Sequence, residues 1–180
     1  MNELRVRIAH KELPNGIEAK QASNEDKSVI AHLLKETAQW LHSKGSSQWN
    51  ELITDGELRG LSGSINRGEV FLFAENGEIA GMVMLLTEAG DWDKSLWGDT
   101  DAESVYLHKL ITARSFKGTG LGKEILLWAE KGIEFEGKKQ IRLDCIGTNA
   151  ALNQFYLAAG YEYKGTLNGF CKYEKPLTQS

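Results

Sequence analysis

Apolar and polar residues alternate at the start of the chain. Leu4-Arg5-Val6-Arg7-Ile8 has the period of two that predicts a first strand. The period changes at Ser23, an N-cap residue with Asp26 three positions on. Ile30, Leu33, Leu34, Thr37, Ala38 and Leu41 then recur at helical spacing until Gly45. Thr54-Asp55-Gly56-Glu57 reads as the capping box of a second helix that ends at Gly68. Residues 69–74 and 78–87 are strand-like, and Asn76-Gly77 between them is a hairpin signal. A loop rich in Trp and Asp is expected over 91–101, followed by a strand over 104–112. A glycine cluster then opens a helix whose apolar stripe is Leu121, Ile125, Trp128, Ala129 and Ile133. A strand over 140–146 follows. Asn149 caps a short helix carrying Leu152, Phe155, Tyr156 and Ala159, which Gly160 stops. Residues 161–167 and 170–174 form a second hairpin around Asn168-Gly169.

The predicted order is β-α-α-β-β-β-α-β-α-β-β. The β-α-β unit over 104–146 demands two parallel strands joined by a right-handed crossover, and the hairpins add antiparallel pairs. An α/β (α+β) domain with one mixed sheet follows. Composition narrows the function classes. With 180 residues, 41% hydrophobic and 26% charged, the chain reads as one globular domain over 1–180, without repeats or a linker. A net charge of −4 argues against a general nucleic-acid or anionic-membrane binder. Cys145 and Cys171 form no CxxC pair or Cys/His cluster. A disulfide scaffold, a structural zinc and any other metal are therefore not expected, and a reducing cytoplasm is. The apolar run from Ile79 to Leu86 is far short of the ~20 residues of a membrane helix. The first seven residues carry charge where a signal peptide needs an apolar stretch.

Nineteen glycines against two prolines make glycine positions informative. Lys117-Gly118-Thr119-Gly120-Leu121-Gly122-Lys123 lies between a strand and a helix. Its backbone can turn several N–H groups toward an anion, beside the positive end of a helix. The spacing fails a Walker A loop, because Glu124 follows Gly122-Lys123, and it fails the Gly-x-Gly-x-x-Gly dinucleotide fingerprint. Lys117-x-x-Gly120-x-Gly122 instead resembles the Arg/Gln-x-x-Gly-x-Gly/Ala signature of the GNAT superfamily of N-acetyltransferases, with Leu110-Ile111-Thr112 at its strand end. Leu143-Asp144-Cys145, Asn149, Phe155-Tyr156 and Gly160-Tyr161 resemble the family's second motif.

The resemblance covers nearly the whole chain. It implies a mixed sheet of about seven strands with a splayed parallel pair and four flanking helices, and acetyl-CoA as acyl donor. Leu110, Ile111, Thr112, Lys117, Gly118, Thr119, Gly120, Leu121, Gly122, Lys123 and Asn149 are the residues it assigns to that donor. The glycine-turn amides would take the pyrophosphate, and the pantetheine arm would add to the open strand edge like a short strand.

Amine acetylation needs a base for the ammonium, donors for the oxyanion and an acid for the departing thiolate. By resemblance Tyr156 is that acid; by spacing alone it is equally a core aromatic beside Leu152 and Phe155. Some members of the family carry a glutamate where Tyr106 stands. Tyr106, His108, Leu110 and Thr112 share one face by the period of two. His108 therefore points toward the cleft, as a base or as a hydrogen-bonded half-buried residue, with Glu103 or an Asp-held water as fallback. Cys145, inside a strand, reads as a small buried residue.

From Glu88 to Glu103 six acids face one base, Lys94, for a local charge of −5. Trp92 and Trp97 lie in the same stretch, and with Tyr106 they are the candidate acceptor-binding residues. Trp40, Trp49 and the run 45–48 lie where this family builds its acceptor wall. The expected function is transfer of acetyl from acetyl-CoA to a primary amine of a small cationic metabolite, directly and within a ternary complex. A non-catalytic acyl-CoA sensor and a protein lysine or N-terminal acetyltransferase are the alternatives. The expected partner is the small-molecule acceptor, and a homodimer is admissible.

Overall fold

The structure, a computed structural model, describes residues 6–44, 60–98 and 102–177. The capping box at 54–57, Trp49 and the run 45–48 lie outside the described residues. Nine strands and five helices are described. In chain order they are β1 (Val6–Ile8), β2 (Glu18–Gln21), α1 (Lys27–Ser43), α2 (Leu61–Asn66), β3 (Val70–Glu75), β4 (Glu78–Leu86) and α3 (Asp91–Trp97). There follow β5 (Ser104–Thr112), α4 (Leu121–Lys131), β6 (Ile133–Phe135), β7 (Gln140–Ile146), α5 (Ala150–Ala158), β8 (Glu162–Leu167) and β9 (Phe170–Pro176).

The seven-stranded sheet runs β2-β3-β4-β5-β7-β9-β8. Its parallel pair is β5 with β7, as the crossover argument requires, and the other neighbours are antiparallel. Both Asn-Gly turns adopt the left-handed pair of conformations expected of tight hairpins: φ is 51° and 81° at Asn76-Gly77, and 51° and 84° at Asn168-Gly169. β1 stands apart, paired only with β6, so the short β2 takes the sheet edge where the opening strand was expected. Ile133 leaves the α4 stripe for β6. Residues 91–97 form α3 rather than a loop.

Two apolar clusters cover the two faces of the sheet. One joins Phe71, Phe73, Leu107, Ile141 and Leu143 to Leu121, Ile125 and Trp128 of α4. Trp128 packs edge-on against Phe73 at 5.1 Å and donates its indole N–H to the His10 carbonyl at 2.7 Å. A buried indole removes about 150–250 Å² from water, worth on the order of 4–6 kcal/mol before entropy. The second cluster joins Leu72, Met82 and Ile111 to Ile30, Leu34 and Ala38 of α1 and to Leu61 and Ile65 of α2.

The expected alternation along β5 does not hold. Met84 pairs with His108 but Met82 with Ile111, so β5 carries one extra residue, and Lys109 sits at φ 52°. A bulge resets the phase of every later side chain. Leu110 therefore packs with the α4 cluster, as Val105 and Leu107 do, while Ile111 faces α1 and α2. Tyr106 and His108 do not share a face with Leu110 and Thr112.

β4 comes close to β5 in this region. A Cβ built on Gly81 would lie 2.7 Å from the Ile111 carbonyl oxygen and 2.8 Å from Ile125 Cδ1. Gly81→Ala is therefore expected to destabilise by about 1–3 kcal/mol, as overpacking does. Calorimetry should show Tm falling by roughly 2–4 °C per kcal/mol. An unchanged Tm would mean that β4 can yield at no cost.

Candidate active site

β5 and β7 run together for only three residue pairs, Ser104 with Gln140, Val105 with Ile141 and Tyr106 with Arg142. Beyond them the strands part. The β5 edge from Leu107 and the β7 edge from Leu143 are left unpaired toward each other. Backbone groups at such a cleft need partners, and an amide-bearing extended ligand supplies them.

At the top of the cleft lies the glycine turn. Gly118 and Gly120 adopt φ 78° and 83°, which a side chain would strain, and no atom lies within 4 Å of a Cβ built on either. Gly120 is the N-cap of α4, so the first-turn amides of Leu121, Gly122 and Lys123 have no helical acceptor behind them. Gly122 stands against Thr112, 3.8 Å from its methyl. Thr119 turns its hydroxyl back to the Phe116 carbonyl at 2.5 Å. The Lys117 ammonium lies 3.2 Å from the centroid of the Trp40 ring, with Arg114 and Lys44 at 6.0 Å from it. Burial, then Arg114 and Lys44, hold Lys117 below the usual lysine range. Crowded cations beside open amides suit a polyanion such as the pyrophosphate of acetyl-CoA. Trp40 thus belongs to this end of the cleft.

The face of the sheet opposite α4 carries a second group of residues. His108 Nε2 lies 2.9 Å from Asp93 Oδ1 and 3.1 Å from Oδ2. Asp93, only 2% exposed, also accepts the Gly90 N–H at 3.1 Å and so satisfies the N-cap amide of α3. Trp92 donates its indole N–H to both oxygens of Asp144 at 3.2 Å and stacks edge-on against Phe170. Burial raises the Asp144 carboxyl above the usual range, against the lowering effect of His108, the Trp92 hydrogen bond and Lys109. The donor atoms of Asp93, His108 and Asp144 lie within 4.8 Å of one another. Those ligand types could hold a divalent cation, yet each is engaged in the bonds just described.

The other acceptor candidates are differently placed. Trp97 stacks on the Arg142 guanidinium at 4.3 Å, and its Nε1 has no partner among the described residues. Tyr106 is 1% exposed, with its hydroxyl 3.3 Å from Arg142. Trp97 ties α3 to β7 through the Arg142 guanidinium, which Tyr106 of β5 also contacts, whereas Trp92 is 45% exposed.

Tyr156 on α5 approaches from the α4 side. It is buried against Phe155, Tyr161 and Tyr173. Burial, with Cys145 and Asp144, pushes its hydroxyl above the usual phenol range, so it stays a proton donor at working pH. Asn149 caps α5 by accepting the Leu152 N–H at 3.0 Å. Cys145 is buried and its thiol is pushed up to about 12 by burial, as befits an inert core residue. Glu103 pairs with Lys139 at 3.3 Å, at the far end of β5. Asp144 is a site residue that the sequence left without a role, and Asp93, read only as one of six loop acids, is the partner of His108. The available signal was Asp93 three residues after Gly90, placed to accept its N–H.

Residues 31–161 match the profile of the acetyltransferase (GNAT) family. The chain is 42% identical over 174 residues to an uncharacterized N-acetyltransferase, YesJ, of Bacillus subtilis, covering 96% of this chain and 97% of that one. A GNAT-family acetyltransferase structure from Listeria monocytogenes is 36% identical, with a TM-score of 0.77 over 89% of this chain and 95% of that one. The PaiA N-acetyltransferase of Thermoplasma acidophilum, solved with coenzyme A, shares the fold at 19% identity. Its TM-score is 0.70, over 89% of this chain and 99% of that one.

A carboxyl whose folded pKa is raised penalises the fold once pH exceeds that value, because the unfolded chain releases the proton more readily. Asp144→Asn is therefore expected to raise Tm at pH 7.5, with the gain vanishing as pH falls through the acid range. Calorimetry at several pH values checks this. A lower Tm at neutral pH would mean that the paired carboxylate is stabilising.

Proposed function

Because the chain belongs to the acetyltransferase (GNAT) family and is an N-acetyltransferase, we propose that it moves acetyl from acetyl-CoA to a primary amine by direct transfer in a ternary complex. The observation that carries this reading is the parting of β5 from β7 after Tyr106 and Arg142, beside a glycine turn with open amides. Acetyl-CoA supplies a thioester carbonyl and a thiol leaving group. Gly118, Gly120, Leu121, Gly122 and Lys123 would hold its pyrophosphate through backbone N–H groups, helped by Lys117. Leu110, Ile111 and Thr112 would offer the strand edge to the pantetheine arm, with Thr119 and Asn149 flanking it.

The base and the acid of this reading lie on opposite faces of the sheet. His108 takes the proton that the acceptor ammonium must lose before its nitrogen can attack. As the C–N bond forms and the C–S bond breaks, the electron pair passes to sulfur. The Tyr156 hydroxyl donates its proton to that thiolate to give free thiol, and the second proton that the nitrogen sheds once the C–N bond has formed restores the phenol. A thiol of pKa about 8.5 is already a fair leaving group, so this donation assists rather than decides the step.

We propose as acceptor a primary amine of a small cationic metabolite. The carboxylates of Asp93 and Asp144 beside the half-exposed Trp92 support it through Coulomb and cation–π attraction. We place the enzyme in the cytoplasm. Two free cysteines support that location, and no described helix is long and apolar enough to cross a membrane.

Thiol release from acetyl-CoA should be followed with polyamines, aminoglycosides, amino acids and lysine peptides, against a blank without acceptor. Release with a cationic small amine is the expected result. Release with peptides alone would reassign the enzyme to proteins, and silence with acetyl-CoA bound would leave a non-catalytic binder. Tyr156→Phe is expected to slow turnover about ten- to a hundredfold, near the low end of acid catalysis. An unchanged steady-state rate would remove the role.

A further inference from the structure

Asp93 sits on a seven-residue helix and is 2% exposed. An ionised carboxylate loses several kcal/mol of hydration at such a site unless strong donors replace the water. α3 supplies one donor, the Gly90 N–H, and β5 supplies the imidazole of His108. A cap alone needs no imidazole, since the N–H of Gly90 already completes it. The carboxylate spans both partners and so ties the ring orientation of His108 to the docking of α3.

His108 uses one nitrogen for this contact. Nε2 faces Asp93, while Nδ1 has no partner among the described residues, and the side chain keeps 23% of its surface open. A carboxylate on Nε2 holds the proton there in the neutral ring and leaves the lone pair on Nδ1. The charged groups brought to this imidazole are Asp93 from α3 and Asp144 from β7; Lys172 of β9 is the register partner of Asp144 and donates to the Leu96 carbonyl, and Lys109 follows His108 on its own strand. Arg67, the residue after α2, lines a pocket with Lys109 and with Met84, the register partner of His108.

We infer that Asp93 is a positioning residue for His108: it fixes the Nε2–H tautomer and turns Nδ1 toward the acceptor amine. The inference rests on His108 serving as the base. In the reaction Nδ1 takes the proton released by the acceptor ammonium, and the positive charge that develops on the ring is met by the Asp93 carboxylate without proton transfer to it. The arrangement is that of a base oriented by a buried third group. It also makes α3, expected from sequence to be a loop, the part of the chain that orients the base on β5.

Nitrogen-15 NMR of the wild-type protein at mildly alkaline pH reads the tautomer without any variant. The neutral Nε2–H form of His108 is expected, and the Nδ1–H form would overturn the inference. Asp93→Asn is expected to lower kcat by about 10²-fold. KM for acetyl-CoA should stay unchanged, and the nitrogen-15 spectrum of the variant should show the Nε2–H preference of His108 lost. In a His108→Ala background the same substitution should cost nothing further. An equal loss in both backgrounds, with the tautomer unchanged, would reduce Asp93 to a helix cap and overturn its role. Full activity of His108→Ala by itself would overturn the base reading, and the Asp93 role with it. A slow His108→Ala enzyme beside an unimpaired Asp93→Asn enzyme would overturn the Asp93 role alone.

Discussion

The site depends on one break in hydrogen bonding: β5 and β7 pair over three residues and then separate. A continuous parallel ladder would satisfy every backbone group and leave nothing for a ligand to complete. Two features go with the separation. The bulge at Lys109 adds a residue to β5 beside the gap, and Gly81 lets β4 keep close to the strand beyond the bulge. α4 begins where β5 has finished, so its N-terminal amides stand at one end of the open edge.

The two faces of the sheet then divide the chemistry. On the α4 and α5 side, Tyr156 lies in an aromatic cluster, so its hydroxyl keeps its proton. On the other side, α3 is held less by apolar packing than by polar bonds: Asp93 to His108, Trp92 to Asp144, Trp97 over Arg142, and Lys172 to the Leu96 carbonyl. Asp144 links the faces, since its charge bears on Tyr156 as well as on His108. Under the proposed function, Tyr156 and His108 would act from opposite faces of the sheet on the acyl group of the donor.

Much of this was legible in the residues. Asn76-Gly77, Asn168-Gly169, the Asn149 cap and the run Lys117–Lys123 announce themselves because their backbone conformations select residue types. The bulge was not legible, because Lys109 is a side chain that φ 52° disfavours and only tertiary context holds it there. Its consequence was the misassigned face of Leu110 and Thr112. β2, with Ala19 as its one buried residue, offers too little alternation to read. α3 hid because its short sequence reads as a charged loop. The acids there had seemed a solvated or substrate-facing cluster, yet Asp93 proves to be internal.

The central claim is that the unpaired edges of β5 and β7 are completed by the acyl donor. Hydrogen–deuterium exchange with and without saturating acetyl-CoA tests it most directly. The account predicts slowed exchange concentrated in Leu107–Thr112, Leu143–Ile146 and the glycine turn 117–123, with the β3–β4 hairpin unaffected. Saturable binding that leaves those amides exchanging at their free rates would contradict it.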